Sequence, residues 1–175
     1  MTSTRDNGVD PSSSDILRQL AAIQAALAVT KTKLSEQRIV SFGAGSAGLG
    51  IARQIRDAAI LDGLPEDEAN KLIFLVDKHG LLKQGISDKI REGVDKGFIR
   101  QDKDEEEIGE WSEGENDLLE VVKRVKPTIL IGTSTAAGAF DEEIIRAMAK
   151  GSERPIILPV RHLRPAPLND YHVDV

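Results

Sequence analysis

Short apolar runs alternate along the chain with longer stretches in which apolar residues recur every three or four positions. Ile16, Leu20, Ile23 and Leu27 fall at helical spacing and predict a helix to about Thr30, capped by Ser14 or Asp15. Residues 38–42 (RIVSF) form a compact apolar run ending at a glycine, which suits a buried strand. A tight turn over residues 43–48 leads into a helix over 46–61, with Ala47, Ile51, Ile55 and Ala58 on one face. Gly63, Leu64 and Pro65 stop it. Residues 72–76 (LIFLV) predict the second strand, closed by Asp77. Strand, glycine turn, helix, strand is one βαβ unit, which requires a parallel pair and a right-handed crossover.

The rest of the pattern extends that unit. Residues 87–94 predict a short helix of weak apolar content, and 98–115 an irregular acidic stretch pinned to the body by Trp111. Residues 116–125 (NDLLEVVKRV) predict an amphipathic helix, with Leu118, Leu119, Val122 and Val125 inward and Asn116 or Asp117 as its cap. A third strand follows at 128–131 (TILI), then a turn of small residues at 132–138. Asp141 caps a helix to about Lys150, and 155–158 (PIIL) is the fourth strand. Residues 1–14 are polar and read as a disordered lead-in, while 160–175 carry no periodicity and read as an irregular tail. One α/β domain over residues 15–159 is the expectation, a three-layer sandwich around a mostly parallel sheet.

Composition narrows the function. A chain of 175 residues suits one ordinary domain. No apolar stretch is long enough for a membrane helix, so no membrane partner is expected. The chain has no cysteine, which excludes disulfides, thiolate zinc sites and cysteine nucleophiles. Three histidines (His79, His162, His172) are too few for a histidine-rich metal site. The net charge of −6 argues against a general nucleic-acid binder, which needs a basic face. That charge is uneven: residues 101–120 alone carry −9. The run 104–107 within it repels itself and reads as solvated loop.

Candidate chemistry gathers at the first turn. Gly43-Ala44-Gly45-Ser46-Ala47-Gly48 is G-x-G-x-x-G, placed after a strand and at the start of a helix. Gly43 allows the tight turn, Gly45 lets a pyrophosphate approach the backbone, and Gly48 lets the helix pack close to the strand. Ser46 and Ala47 lie in the helix's first turn, where free N–H groups and the positive dipole end favour phosphate. This context makes the fold Rossmann-like. Asp77 sits where an acid accepts hydrogen bonds from the adenosine ribose, although it lies 29 residues beyond Gly48, more than is typical. An aspartate there repels a 2′-phosphate and favours NAD over NADP; Lys78 beside it softens that choice. Gly132, Thr133 and Ser134 follow the third strand. They either meet the second ribose or form an ordinary strand–helix connection, and the residues alone do not choose. A G-x-S-x-G elbow and a P-loop are both absent.

The wording of residues 20–159 resembles the NAD-binding domain of malic enzymes. The carrying segments are 33–52 (KLSEQRIVSFGAGSAGLGIA), 75–82 (LVDKHGLL), 125–132 (VKPTILIG) and 153–157 (ERPII). The resemblance implies a dinucleotide, NAD, held by Gly43, Gly45, Ser46, Ala47 and Asp77, with residues 132–134 nearby. It implies oxidative decarboxylation of L-malate to pyruvate, with Mn or Mg, in the complete enzyme only. The family's catalytic tyrosine and lysine and two of its metal-binding acids belong to a preceding domain that this sequence does not match. Its D-D-x-Q-G-T signature is replaced here by Asp10-Pro-Ser-Ser-Ser-Asp15, so no catalytic and no metal residue carries over. Thr135 stands where a glycine is common, and the match stops at Pro159. A fragment that is inactive alone is therefore expected. The alternative is a stand-alone, non-catalytic dinucleotide-binding or subunit-interaction protein; another Rossmann dehydrogenase or a methyltransferase fits the wording less well. The 16–27 stripe and the proline-containing tail are expected to leave apolar surface exposed and to drive self-association. The compartment is not encoded; an intracellular one, cytoplasmic or mitochondrial, is expected.

Overall fold

The structure, a computed structural model, describes residues 11–101, 117–133 and 140–159. The expected lead-in up to residue 10, the acidic stretch 102–116 with Trp111, the small-residue turn 134–139 and the tail 160–175 lie outside the described residues.

The elements run α1 (Pro11–Thr30), β1 (Ile39–Phe42), α2 (Ser46–Leu61), α3 (Glu66–Lys71), β2 (Ile73–Asp77), β3 (Gly80–Leu81), α4 (Leu118–Val125), β4 (Ile129–Gly132), α5 (Glu142–Gly151) and β5 (Ile156–Pro159). The sheet order is β3-β2-β1-β4-β5. All pairs are parallel except β2 with β3, where Val76 faces Leu81 and Asp77 faces Gly80. The mostly parallel Rossmann-like sheet expected from the sequence is thus present, with a short antiparallel strand added at one edge. Register sets Ile39 beside Ile73 and Ile129, and Ile129 beside Ile156.

Side chains on successive strand residues point to opposite faces, and here both faces are covered. Ile39, Ile73, Leu75, Ile129 and Ile131 enter one core with Ile23, Leu27, Ile51, Ile55 and Ala59 of α1 and α2. Val40, Phe74, Val76 and Leu130 enter the other with Val121, Val122, Val125 and Met148 of α4 and α5. Burial on both faces explains why the strands read as unbroken apolar runs.

Several local expectations shift. The helix expected from Ser14 or Asp15 starts three or four residues earlier, at Pro11, because proline is pre-set for a first helical turn that needs no N–H. Residues 65–71, expected as a linker, hold α3, whose first turn carries Glu66, Asp67 and Glu68 against the positive helix end. The helix expected over 87–94 is instead a 3₁₀ segment, Gln84–Lys89, broken at Ile86. On α2 and α4 the buried faces are rotated slightly: Ala47, Ala58 and Leu119 are half-buried, whereas Ala52, Ala59 and Val121 are buried. The helix caps Asp117 and Asp141 do accept the first-turn amides, from Glu120 and Ile144. The expected exposed stripe is overturned at Ile23 and Leu27, which α2 covers; Leu17 and Val29, 56 % and 75 % exposed, are the outward residues of α1. No helix among the described residues is long and apolar enough to cross a membrane.

Two basic anchors hold the irregular segment that follows β3. Arg100, buried, donates through Nη2 to the carbonyls of Lys71 and Ile73 and lies 3.7 Å from the centre of the Phe74 ring. Carbonyl dipoles and a ring face thereby meet part of its charge. On α2, Arg53 grips both oxygens of Asp95 (Nε–Oδ2 3.1 Å, Nη2–Oδ1 2.8 Å) and the Gly93 carbonyl (2.9 Å). Arg56 adds a bond to Asp95 Oδ2 at 3.0 Å and lies over the ring of buried Phe98.

The hydrogen bond from Arg53 is the largest cause holding the Asp95 carboxyl below the usual carboxylate range; burial opposes it, and the charge of Arg53 with the bond and charge of Arg56 adds to the lowering. A depressed folded-state value means stabilisation that is full at neutral pH and lost as pH falls through that value. The expected consequence is a gap of about 1 kcal/mol or less between wild type and Asp95→Asn in urea unfolding at neutral pH, since Arg53 is 42 % exposed. That gap should narrow as the pH falls below the usual carboxylate range. A gap that stays constant with pH would remove the charge contribution of Asp95.

Candidate dinucleotide site

The carboxyl edge of the sheet centres on Gly43. Register places Phe42 between Val76 and Gly132, so the next residues along, Asp77 and Thr133, flank Gly43 on its two sides. Backbone bonds close this edge: Gly43 N–H donates to Val76 O (2.7 Å) and Thr133 N–H to Phe42 O (2.8 Å). Because β2 and β4 leave β1 on opposite sides, this is where an open α/β sheet forms its ligand crevice.

The turn is built on missing side chains. Gly43 has φ +112°, which L residues rarely adopt. A Cβ on Gly48 would collide with the Gly43 carbonyl and come within 2.8 Å of Thr133 Oγ1. In front of Gly45, by contrast, the nearest atom to an added Cβ is Arg91 Nη1 at 3.8 Å. The backbone there is open to approach. Gly45 is the N-cap of α2 and supplies no side-chain cap, so the first-turn amides of Ser46, Ala47 and Gly48 lack partners within the helix. An open backbone, uncapped amides and the positive dipole end fit a pyrophosphate.

The other predicted residues divide. Asp77 is the last residue of β2, half-buried, and its Oδ1 accepts a bond from the Lys78 amide at 2.9 Å. Lys78 and His79 are exposed in the connection to β3. The Thr133 hydroxyl donates back into the turn, 2.8 Å from Gly43 O and 3.2 Å from Phe42 O. Its proton thus braces the glycine turn. Gly132 backs onto Phe140: a Cβ there would lie 2.6 Å from the ring's Cζ. Ser134 lies outside the described residues. Arg91 was not singled out in the sequence. It falls within 87–94, expected as a short helix of weak apolar content, and the available signal was a basic residue a short way beyond the strand-end acid. Among the described residues, no group of three or more His, Asp or Glu converges in a way that could hold a metal ion.

A glycine turn at the switch point of a parallel sheet, opening an uncapped helix, defines a Rossmann-like domain of the dinucleotide-binding class. Residues 17–163 match the family model described as malic enzyme, NAD binding domain, and the chain belongs to that family. NAD is accordingly its dinucleotide, as the resemblance implied. The chain is 44 % identical over 144 residues to NAD-dependent malic enzyme 3 of Bacillus subtilis and 46 % over 141 to the NAD-dependent malic enzyme of Schizosaccharomyces pombe. It is also 41 % identical over 141 residues to the malolactic enzyme of Lactococcus lactis. Each match covers 81 % of this chain and 24–25 % of the relative, so the chain spans about a quarter of the length of these proteins. The fold is shared with a solved structure described as a putative malic enzyme (malate oxidoreductase), with TM-score 0.54 and 21 % identity, covering 89 % of this chain and 34 % of that one.

The contact at Gly48 reverses an ordinary rule. Glycine to alanine inside a helix normally stabilises by about 1 kcal/mol. Here Gly48→Ala is expected to destabilise, by about 2 kcal/mol or more, because the backbone of Gly43 must move. Urea unfolding checks this, and a more stable variant would show that the turn relaxes freely.

Proposed function

We propose that this chain is the cofactor-holding part of a malic-enzyme-type oxidoreductase acting on L-malate, and that the glycine turn is its NAD site. The observation that carries the proposal is the open backbone at Gly45 beside the uncapped amides of Ser46 and Ala47. Those amides donate to the pyrophosphate, and Gly43 and Gly48 shape the turn that presents them. Asp77, level with Gly43 on the neighbouring strand, accepts hydrogen bonds from the adenosine ribose hydroxyls. Its negative charge disfavours a 2′-phosphate, and the exposed Lys78 limits how far. Gly132 and Thr133 form the opposite wall, on the side of the second ribose, where Thr133 holds the turn. Bound NAD supplies a hydride acceptor. In the complete enzyme, Mn or Mg, malate and the proton-transferring groups complete the chemistry, and the residues described here bind and orient the dinucleotide.

Calorimetric titration of the purified chain tests this reading. NAD is expected to bind more tightly than NADP. Asp77→Ala should weaken NAD about tenfold, the loss of charge-assisted hydrogen bonds, and narrow the gap to NADP. Unchanged NAD affinity in that variant would remove Asp77 from the ribose role, and a wild type that binds no NAD would sink the site. Self-association belongs to the same proposal, supported by the exposed Leu17, Val29 and Leu61. Sedimentation should give a mass above 19.0 kDa that rises with concentration, and a strict monomer would contradict it.

A further inference from the structure

The segment between β3 and residue 101 carries charged side chains that the NAD reading has not used. It has little regular structure, yet Arg53 and Arg56 clamp it onto α2 through Asp95, and its own Phe98 is buried in the core. Arg91 lies four residues before Asp95 and two before Gly93, whose carbonyl Arg53 also holds. The loop is therefore fixed to the same helix whose first turn forms the glycine site. Its clamp sits about two helical turns along α2 from Ser46, and the chain folds back from there to the turn.

Arg91 is exposed, with its Nη1 3.8 Å from the position of a Cβ on Gly45. No hydrogen bond or ion pair engages it among the described residues. A guanidinium without a carboxylate partner among the described residues, held over the spot where the backbone is open, has a defined electrostatic use. A pyrophosphate is doubly charged, and the α2 dipole offsets only about half a charge. Asp77 on the next strand adds a negative charge rather than a positive one. The planar guanidinium fork can meet two phosphate oxygens at once, which an ammonium cannot.

We infer that Arg91 is a pyrophosphate-binding residue of this site, meeting the diphosphate across from the α2 amides, and that the Arg53–Asp95–Arg56 cluster positions it. The inference rests on the NAD reading above and adds to it a ligand group that the glycine motif does not contain. Any nucleotide with a diphosphate shares the contact, and a nucleoside without phosphate does not.

The test uses the full chain with NAD and ADP in calorimetry and with adenosine in ligand-observed NMR. Arg91→Ala should weaken NAD and ADP about tenfold or more while leaving adenosine unchanged. Arg91→Lys should restore part of the loss, because charge returns without the fork. Asp95→Asn should weaken NAD by less than Arg91→Ala, since it loosens the loop without removing the cation. The thermal midpoint of Arg91→Ala should match wild type, as expected for an exposed side chain. Wild-type affinity for NAD and ADP in Arg91→Ala overturns the inference and leaves the NAD site standing. An equal loss for adenosine also overturns it, by showing a general distortion. A wild type that binds neither NAD nor ADP removes both readings together.

Discussion

At the end of β1 the chain leaves the sheet and starts a helix with almost no room to do so. The Gly43 carbonyl, the Cα of Gly48 and the Thr133 hydroxyl occupy a space that a single methyl group would overfill. This close approach fixes where α2 begins, and with it the direction of the helix across the sheet. It joins three strands at one edge, since Gly43 bonds to Val76 of β2 and Thr133 of β4 bonds to Phe42 of β1. On the other side of the turn the first turn of α2 has no side-chain cap, and the backbone at Gly45 is open. Tightness behind the turn and openness in front of it are two sides of one constraint, and the proposed NAD site rests on both.

Around that edge, the molecule uses polar contacts sparingly and places them where the backbone is irregular. The sheet itself rests on aliphatic side chains packed from both faces. The segment after β3 meets that core only at separate points, through Leu82, Ile90, Val94 and Phe98. Arg100 and the Asp95 cluster add polar ties between those points, each connecting loop to helix or strand. Arg100 is the more demanding of these, because a buried guanidinium must find carbonyls and a ring face in place of water. The partly exposed Asp95 cluster contributes less to stability and more to position.

Much of this was legible without coordinates. Strand runs such as IFLV and ILI are continuous because both faces are covered, so the apolar pattern marked β2 and β4 to within a residue. The bounds of α2 follow from the glycine turn ahead of it and Gly63-Leu64-Pro65 behind it. Asp117 and Asp141 announced their helices because a carboxylate at that position satisfies amides that have no other partner. The site's glycines were legible for the same reason, since backbone geometry restricts them to one residue type. What stayed hidden was α3, too short for a periodic signal, and β3, whose two residues pair only because β2 lies beside them. The burial of α1 was misjudged as exposure, because an amphipathic stripe does not state which surface will cover it.

The sequence by itself determined the elements, the buried strands, the glycine turn and the family, because each depends on local sterics or on residue types within one short segment. Tertiary structure alone decided which atoms share the carboxyl edge: Asp77 beside Gly43, the Thr133 hydroxyl turned inward, and Arg91 brought over Gly45 by a clamp centred on Asp95. Those placements join residues some 30 to 90 positions apart. The physical reason is that sheet register and long-range ion pairs fix distances between segments, and no periodicity within a segment records them.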